Sequence, residues 1–316
     1  MTEAAAEPHS TTAEPSEPAA AADGSADRAS PAAVRTSAWG EELAFTIETA
    51  EAAGRVLMDH YERLERIRFK SPTDVVTEAD HLSEELVIRA IRARFPEDGI
   101  LAEESGSHGP AAAATPAAPP SNGRVWVIDP LDGTVNYANG LPVFCVSIGL
   151  TVDGRPVVGA VLDPTRDELF AATADGPATL NGRPITITDK ELLSDYVISL
   201  ALGGRAVVGR VRAIRKLIRV SRSMGSAALG LAYVANGRFD AFVQESGLSA
   251  WDIAAAGLIA ERAGALVTAF DGSSWYDGGR KTRTANLIAC PARHHEQLRL
   301  LASGRALPIT ARLARR

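Results

Sequence analysis

Cysteine is nearly missing from this chain: its 316 residues contain two, Cys145 and Cys290, with no CxxC pair. That excludes a disulfide framework and a thiolate zinc site, fits a reducing compartment, and leaves both thiols as buried small hydrophobes. No apolar run reaches the roughly eighteen residues that a membrane helix needs. The N-terminus lacks a basic start followed by an apolar block, so it does not read as a signal peptide, and the expected location is the cytoplasm. Basic excess is missing too: 33 Lys and Arg stand against 39 Asp and Glu, for a net charge of -6. Nucleic acid is therefore not the expected partner. What remains, 46% hydrophobic and 23% charged residues, suits a soluble protein of one large or two closely packed domains.

Residues 1–38, rich in Ala, Glu, Pro, Ser and Thr, read as a disordered tail, and 306–316 as a C-terminal one. The Pro- and Ala-rich stretch 109–123 reads as an exposed loop inside the fold. Apolar or small residues at Leu43, Ile47, Ala50, Gly54, Leu57, Tyr61 and Leu64 recur in steps of three and four, which predicts an amphipathic helix over 39–64. "DVVTEAD" predicts a short strand, with Asp80 capping a helix over 81–95 that Pro96 ends. "RVWVID" predicts a buried strand, and two β-rich runs flanking Asp153-Gly154 predict a hairpin. Turns at Asp175-Gly176 and Asn181-Gly182 extend this into a meander, which favours an α+β fold with mixed sheets. Further on, the pattern predicts a strand over 196–200, a basic helix over 208–220, a small-residue helix stopped by Gly237, the strand "FDAFVQ", an apolar helix opening at Asp252, two short strands and a last helix over 292–301.

"DPLDGT" places Asp129 and Asp132 three positions apart at the end of a buried strand, where their mutual repulsion needs a compensating cation or donors. A plain Asp-Pro/Asp-Gly turn explains the hexapeptide alone equally well. Glu103 in "AEESG" and Asp252 in "SAWDIAAAG" also end or open apolar segments. Carboxylates without a His or Cys cluster suit Mg²⁺ or Mn²⁺, and two such ions clamp the oxygens of a phosphoryl transfer. Gly133 and Thr134 then offer backbone N–H groups for phosphate and a hydroxyl beside the attacking water. The adjacent His294 and His295 point apart on a helix and receive no metal role.

"WVIDPLDGTVNY", preceded by "DVVTEAD" and "AEES" and followed by "WDIAAAGLIAERAGA", closely resembles the inositol monophosphatase family of Mg²⁺-dependent, lithium-sensitive phosphomonoesterases, in the right order over about residues 40 to 300. The resemblance implies a layered αβαβα sandwich, divided into a metal-bearing half (39–192) and a half completing the active site (193–305), and a homodimer. It implies a first Mg²⁺ held by Glu103, Asp129 and the Leu131 carbonyl, a second by Asp129, Asp132 and Asp252, and a weaker third supported by Glu103 through waters. It implies a water deprotonated with help from Thr134 and Asp80, and a phosphorylated polyol or sugar touching Gly133, Thr134, Gly225, Ser226, Ala227, Glu245 and Asp252. Lys70 resembles a family lysine near the metals and reads equally as a surface charge. Ser226 stands where a threonine is commoner, Tyr137 replaces a phenylalanine, and the 109–123 loop follows a ligand directly. The expected substrate is myo-inositol 1-phosphate. Histidinol phosphate, fructose 1,6-bisphosphate and adenosine 3′,5′-bisphosphate are the alternatives that similar sequences allow. A reading of another class is a transcription-associated binding protein, for which the basic patch 210–222 is the one feature available.

Overall fold

The computed structural model describes residues 37–61, 67–71, 74–111, 119–204, 207–277 and 285–305. Residues 1–36 and 306–316 of the two expected tails, and residues 112–118 of the 109–123 stretch, lie outside the described residues. The helices are α1 (Gly40–His60), α2 (Glu78–Arg94), α3 (Thr134–Ala138), α4 (Val207–Arg215), α5 (Ala227–Ala235), α6 (Ala250–Arg262) and α7 (Ala292–Ala302). The first strands, β1 (Ile67–Ser71) and β2 (Asp74–Thr77), form a small antiparallel pair.

An eight-stranded sheet follows, made of β3 (Gly99–Ala102), β4 (Gly106–His108), β5 (Arg124–Asp132), β6 (Cys145–Val152), β7 (Arg155–Asp163), β8 (Glu168–Thr173), β9 (Thr179–Leu180) and β10 (Arg183–Pro184). Its order is β10-β9-β8-β7-β6-β5-β3-β4, antiparallel except where β3 runs parallel to β5. The expected meander is present. Asp153 and Gly154 both sit at positive φ, 49° and 74°, as a two-residue hairpin turn that matches strand twist demands. The second sheet contains β11 (Val197–Ala201), β12 (Val220–Arg222), β13 (Ala241–Leu248), β14 (Leu266–Thr268) and β15 (Ala285–Cys290), in the order β12-β11-β13-β15-β14.

The layers follow from which faces are apolar. Helices α1 and α2 cover the outer face of the first sheet, burying Leu57, Val87, Ile91, Trp126, Ile128 and Ile148 together. Helices α5 and α6 lie between the sheets; α6 is apolar around nearly its whole girth and buries nine consecutive positions apart from Asp252 among its first eleven, as a helix with sheet on both sides should. Gly159 of β7 lets it approach, since a Cβ there would meet Ala255 Cα at 2.8 Å. Helices α4 and α7 cover the far face of the second sheet, packing Ile214 and Leu298 over Ile198, Val243 and Ile288. The result is the αβαβα sandwich. Cys145 and Cys290 are both free and buried, as expected. No helix among the described residues is long and apolar enough to cross a membrane.

Two local expectations need correction. Asp80 is not the N-cap of α2: Thr77 is, and Asp80 occupies the third helical position of a capping box. The basic helix ends at Arg215 rather than Val220, because Val220–Arg222 pairs in parallel with Val197–Ser199, a non-local partner that periodicity cannot register.

Candidate active site

The site forms where the C-terminal end of β5 meets the N-termini of two central helices. Pairing of β5 with β6 is regular to Asp129↔Ser147, then shifts before resuming at Asp132↔Cys145. This irregularity spans Pro130 and Leu131 and re-aims the strand end, so that both carboxylates serve one site. The Leu131 N–H donates to Asp129 Oδ1 at 3.1 Å and fixes the bend. Gly133 follows at φ 101°, and a Cβ there would meet the Val143 carbonyl oxygen at 2.8 Å, so the turn into α3 requires glycine.

Asp252 arrives from the other side of the core. It is the third residue of α6, in a capping box with Ser249, whose N–H donates to Asp252 Oδ2 at 2.5 Å. Carboxylate oxygens of Asp129, Asp132 and Asp252 lie within 4.8 Å of one another. Glu103, just past β3, is close enough to repel Asp129 and to share a hydrogen bond with it.

Burial lifts the Asp129 carboxyl well above the usual range, and the charges of Glu103, Asp132 and Asp252 raise it further. Removal from water likewise raises Asp252, with Asp132 adding to the effect. Asp132 is raised by burial although donors oppose it. These are the Ser226 hydroxyl at 2.7 Å and the Ala228 N–H at 2.6 Å, both on Oδ2 at the start of α5. Burial, with the nearby charges of Asp132 and Asp129 adding to it, pushes the Cys145 thiol well above its ordinary value, which keeps it protonated. Among the described residues no Lys or Arg pairs with these three aspartates. An all-carboxylate set, two of its members buried and the third partly so, with no protein counter-charge among the described residues, fits a hard divalent cation.

Beside the acids sits a hydrogen-bonded pair. The Thr134 hydroxyl lies 3.1 Å from Asp80 Oδ1 and 3.0 Å from the Leu131 carbonyl oxygen, to either of which it donates. Asp80 Oδ2 accepts from the Thr77 N–H at 2.8 Å and the Thr77 hydroxyl at 2.5 Å. Burial nevertheless wins over these donors and brings the Asp80 carboxyl to about 6. A carboxylate at that value can take up a proton near neutral pH.

A cleft of about 260 Å³ opens over Asp132 and Asp252 and is walled by Ser199, Ser223, Gln244 and the turn Gly225-Ser226-Ala227. A larger cavity of about 640 Å³, beside Val125 and Tyr276, contains none of the clustered acids, so the chemistry is placed in the smaller one. Gly225 is held at φ 75° against Asn136, whose amide donates to the carbonyls of Val143 and Met224 at 2.7 and 2.9 Å.

Of the residues named from the sequence, Asp129, Leu131, Asp132, Gly133, Thr134, Asp80, Asp252, Glu103, Gly225, Ser226 and Ala227 are gathered here. Glu245 is not among the cleft walls: it forms an ion pair with Arg210 at 2.6 Å. The side chain of Lys70 lies outside the described residues. His294 and His295 bond to different partners, the Glu191 carbonyl and Thr268. Sequence reasoning missed Thr77, although "TEAD" carries the capping-box spacing, and missed Asn136 and Gln244.

The model of the inositol monophosphatase family matches residues 39–305. The chain is 40% identical over 242 residues to the Nus factor SuhB of Pasteurella multocida, covering 74% of this chain and 87% of that protein. It is 35% identical over 247 residues to inositol monophosphatase 2 of Solanum lycopersicum, covering 76% and 91%. The solved inositol monophosphatase of Anabaena superposes with a TM-score of 0.70 at 35% identity, over 87% of this chain and all of that one. With the family model matching residues 39–305 and these relatives at 35–40% identity, the chain belongs to the inositol monophosphatase family.

Proposed function

We propose that this protein is a Mg²⁺-dependent, lithium-sensitive phosphomonoesterase that hydrolyses a small phosphorylated polyol, myo-inositol 1-phosphate first among candidates, as a cytoplasmic homodimer. The observation that carries the reading is the convergence of Asp129, Asp132 and Asp252 within 4.8 Å, beside a Thr134–Asp80 hydrogen bond. Glu103, Asp129, the Leu131 carbonyl, Asp132 and Asp252 would hold two ions, with Glu103 supporting a third. Bound there, divalent cations supply a water acidic enough to ionise near neutral pH and stabilise charge developing on the phosphoryl and leaving oxygens.

The protein's own share is positional and acid–base. Asp80 Oδ1 accepts the Thr134 proton and so orients the hydroxyl to receive one from the attacking water. The N–H groups of Gly133 and Thr134 are offered to phosphate oxygens. Ser226 anchors Asp132 and, with Gly225 and Ala227, forms the wall that the alcohol half of the ester meets.

Phosphate release with and without Mg²⁺ tests the reading, across myo-inositol 1-phosphate, histidinol phosphate, fructose 1,6-bisphosphate and adenosine 3′,5′-bisphosphate, with Asp129→Asn as control. Release that needs Mg²⁺ and Asp129 supports it; none from any ester refutes it. A second reading, association with the transcription machinery, is favoured by one observation: several relatives carry the name Nus factor SuhB. The face it would use is α4, where Val208 is exposed among Arg212, Arg215 and Lys216. Pull-down partners lost on charge reversal of these three residues, with phosphatase activity kept, would support it.

A further inference from the structure

Helix α2 turns a polar stretch toward the core. Asp80, Ser83, Glu84, Val87 and Ile91 follow one another in steps of three and four, so they share one side of the helix, and all five are buried. Val87 and Ile91 join the apolar core with Trp126 and Ile128, whereas the first turns of the same side carry polar groups. Asp80 reaches the Thr134 hydroxyl. Ser83 is fully buried and Glu84 is 4% exposed, and neither belongs to the cluster of three aspartates. Burying a carboxyl here costs free energy unless it is well bonded, and the apolar residues further along the side show what packing alone would select.

Each of the two grips the main chain of a different segment. The Ser83 hydroxyl donates to the Pro130 carbonyl at 3.1 Å. Pro130 lies where the pairing of β5 with β6 shifts between Asp129 and Asp132, so its carbonyl falls outside the regular ladder and takes its donor from α2. Glu84 Oε2 accepts from the Glu104 N–H at 2.9 Å, and the Glu103 N–H donates to the Ile128 carbonyl at 3.2 Å. Two consecutive N–H groups, one on either side of the Glu103 α-carbon, are thereby pinned, the first to β5 and the second to α2. Glu103 lies past the end of β3 at Ala102, where strand pairing no longer sets its direction. These two bonds set it instead, and its side chain shares a hydrogen bond with Asp129.

We propose that Glu84 is a positioning residue for the first of the two cation sites: by holding the Glu104 N–H it aims the Glu103 carboxylate at Asp129, while Ser83 holds the bend that carries Asp129, Leu131 and Asp132. This rests on reading the acids as the cation site of a phosphomonoesterase. The two residues then differ in reach. Glu103 does not serve the ion held by Asp129, Asp132 and Asp252, so losing the Glu84 bond weakens one ion and spares the other. Losing the Ser83 bond disturbs ligands of both.

The test is Mn²⁺ binding to the full chain with no ester present, free ion being read by electron paramagnetic resonance, since Mn²⁺ takes the same oxygen ligands. Wild type, Glu84→Met, Glu84→Gln and Ser83→Ala are compared, each first shown to unfold cooperatively in urea. Methionine nearly conserves the volume and offers only a weak acceptor, whereas glutamine keeps an acceptor for the Glu104 N–H. Removing a group that orients a metal ligand lowers affinity by about 10- to 100-fold. Glu84→Met should weaken one ion by that factor and leave the other within about twofold. Glu84→Gln should stay within about threefold of wild type at both, and Ser83→Ala should weaken both. The inference is overturned if Glu84→Met leaves both affinities unchanged or weakens both equally, or if Glu84→Gln is as weak as Glu84→Met. Wild type that binds two ions yet releases no phosphate from any ester removes the phosphomonoesterase reading, a result distinct from an active wild type with an indifferent Glu84.

Discussion

Asp129→Asn should stabilise the metal-free protein while abolishing phosphate release. The Asp129 carboxyl is buried and faces Asp132 and Asp252 with oxygens within 4.8 Å. At an effective dielectric of about 20, one ionised pair at that spacing repels by about 3 kcal/mol. Asparagine keeps the shape and the Oδ1 that accepts the Leu131 N–H, so the change removes charge with little repacking. Because the folded state raises the Asp129 carboxyl, its contribution is favourable below the unfolded-state value and is lost as pH rises through the folded-state value. The metal-free wild type is therefore most strained at alkaline pH. Part of the repulsion is shed by retained protons, so the net gain from Asp129→Asn at pH 8 in chelator is about 2 kcal/mol, fading toward pH 4. Saturating Mg²⁺ reverses the order, since ligand binding stabilises only the protein that binds it. Urea denaturation in chelator and in Mg²⁺, at both pH values, reads all four quantities. A variant less stable than wild type at pH 8 in chelator would mean that the protein itself compensates the acids, and the argument for a cation site would fall.

Gly133→Ala should cost about 2–4 kcal/mol in denaturation, from a positive φ and a backbone contact at 2.8 Å, and should lower phosphate release more than tenfold by displacing Asp132 and Thr134. With the Asp80 carboxyl at about 6, wild-type kcat should fall as pH drops through that value; Asp80→Asn should be slower by at least about a hundredfold and lack that limb, whereas an unchanged limb assigns it to another group. Asp240→Ala tests stability away from the site: its buried carboxylate accepts from Thr188, Lys190 and the Val197 N–H at 2.5, 2.8 and 2.7 Å. Its loss should cost about 3 kcal/mol or more in urea, while kcat per folded molecule stays within twofold of wild type.

What was legible in the sequence was whatever a short window encodes. The α1 face, the Asp153-Gly154 hairpin, the stop of α5 at Gly237 and the strand leading into Asp129 each have a local signature and are present, although α1 ends at His60, short of the expected 64, and β5 runs on to Asp132. The extent of the basic helix was not legible, because parallel pairing of β12 with β11 decides it. The ion pair of Glu245 was not legible from its spacing of seven residues to Asp252, because its partner Arg210 lies on α4, 35 residues away.

The two capping boxes show how local rules build a non-local site. Asp80 and Asp252 each occupy the third position of a helix and accept the N–H of their own N-cap residue, Thr77 or Ser249. Each carboxylate is thereby aimed by a bond within its own helix end, where the backbone dipole favours negative charge. One oxygen is committed to the cap, Oδ2 in both cases. In Asp80 the other meets the Thr134 hydroxyl. Asp132 is built in reverse: it belongs to a strand and accepts the N-terminal donors of a different helix, α5, on one oxygen. The same division, one oxygen for the fold and one for the site, recurs on three elements far apart in sequence. It accounts for why buried acids persist here despite raised carboxyl values: the fold uses half of each group to set its direction, and the remaining halves converge.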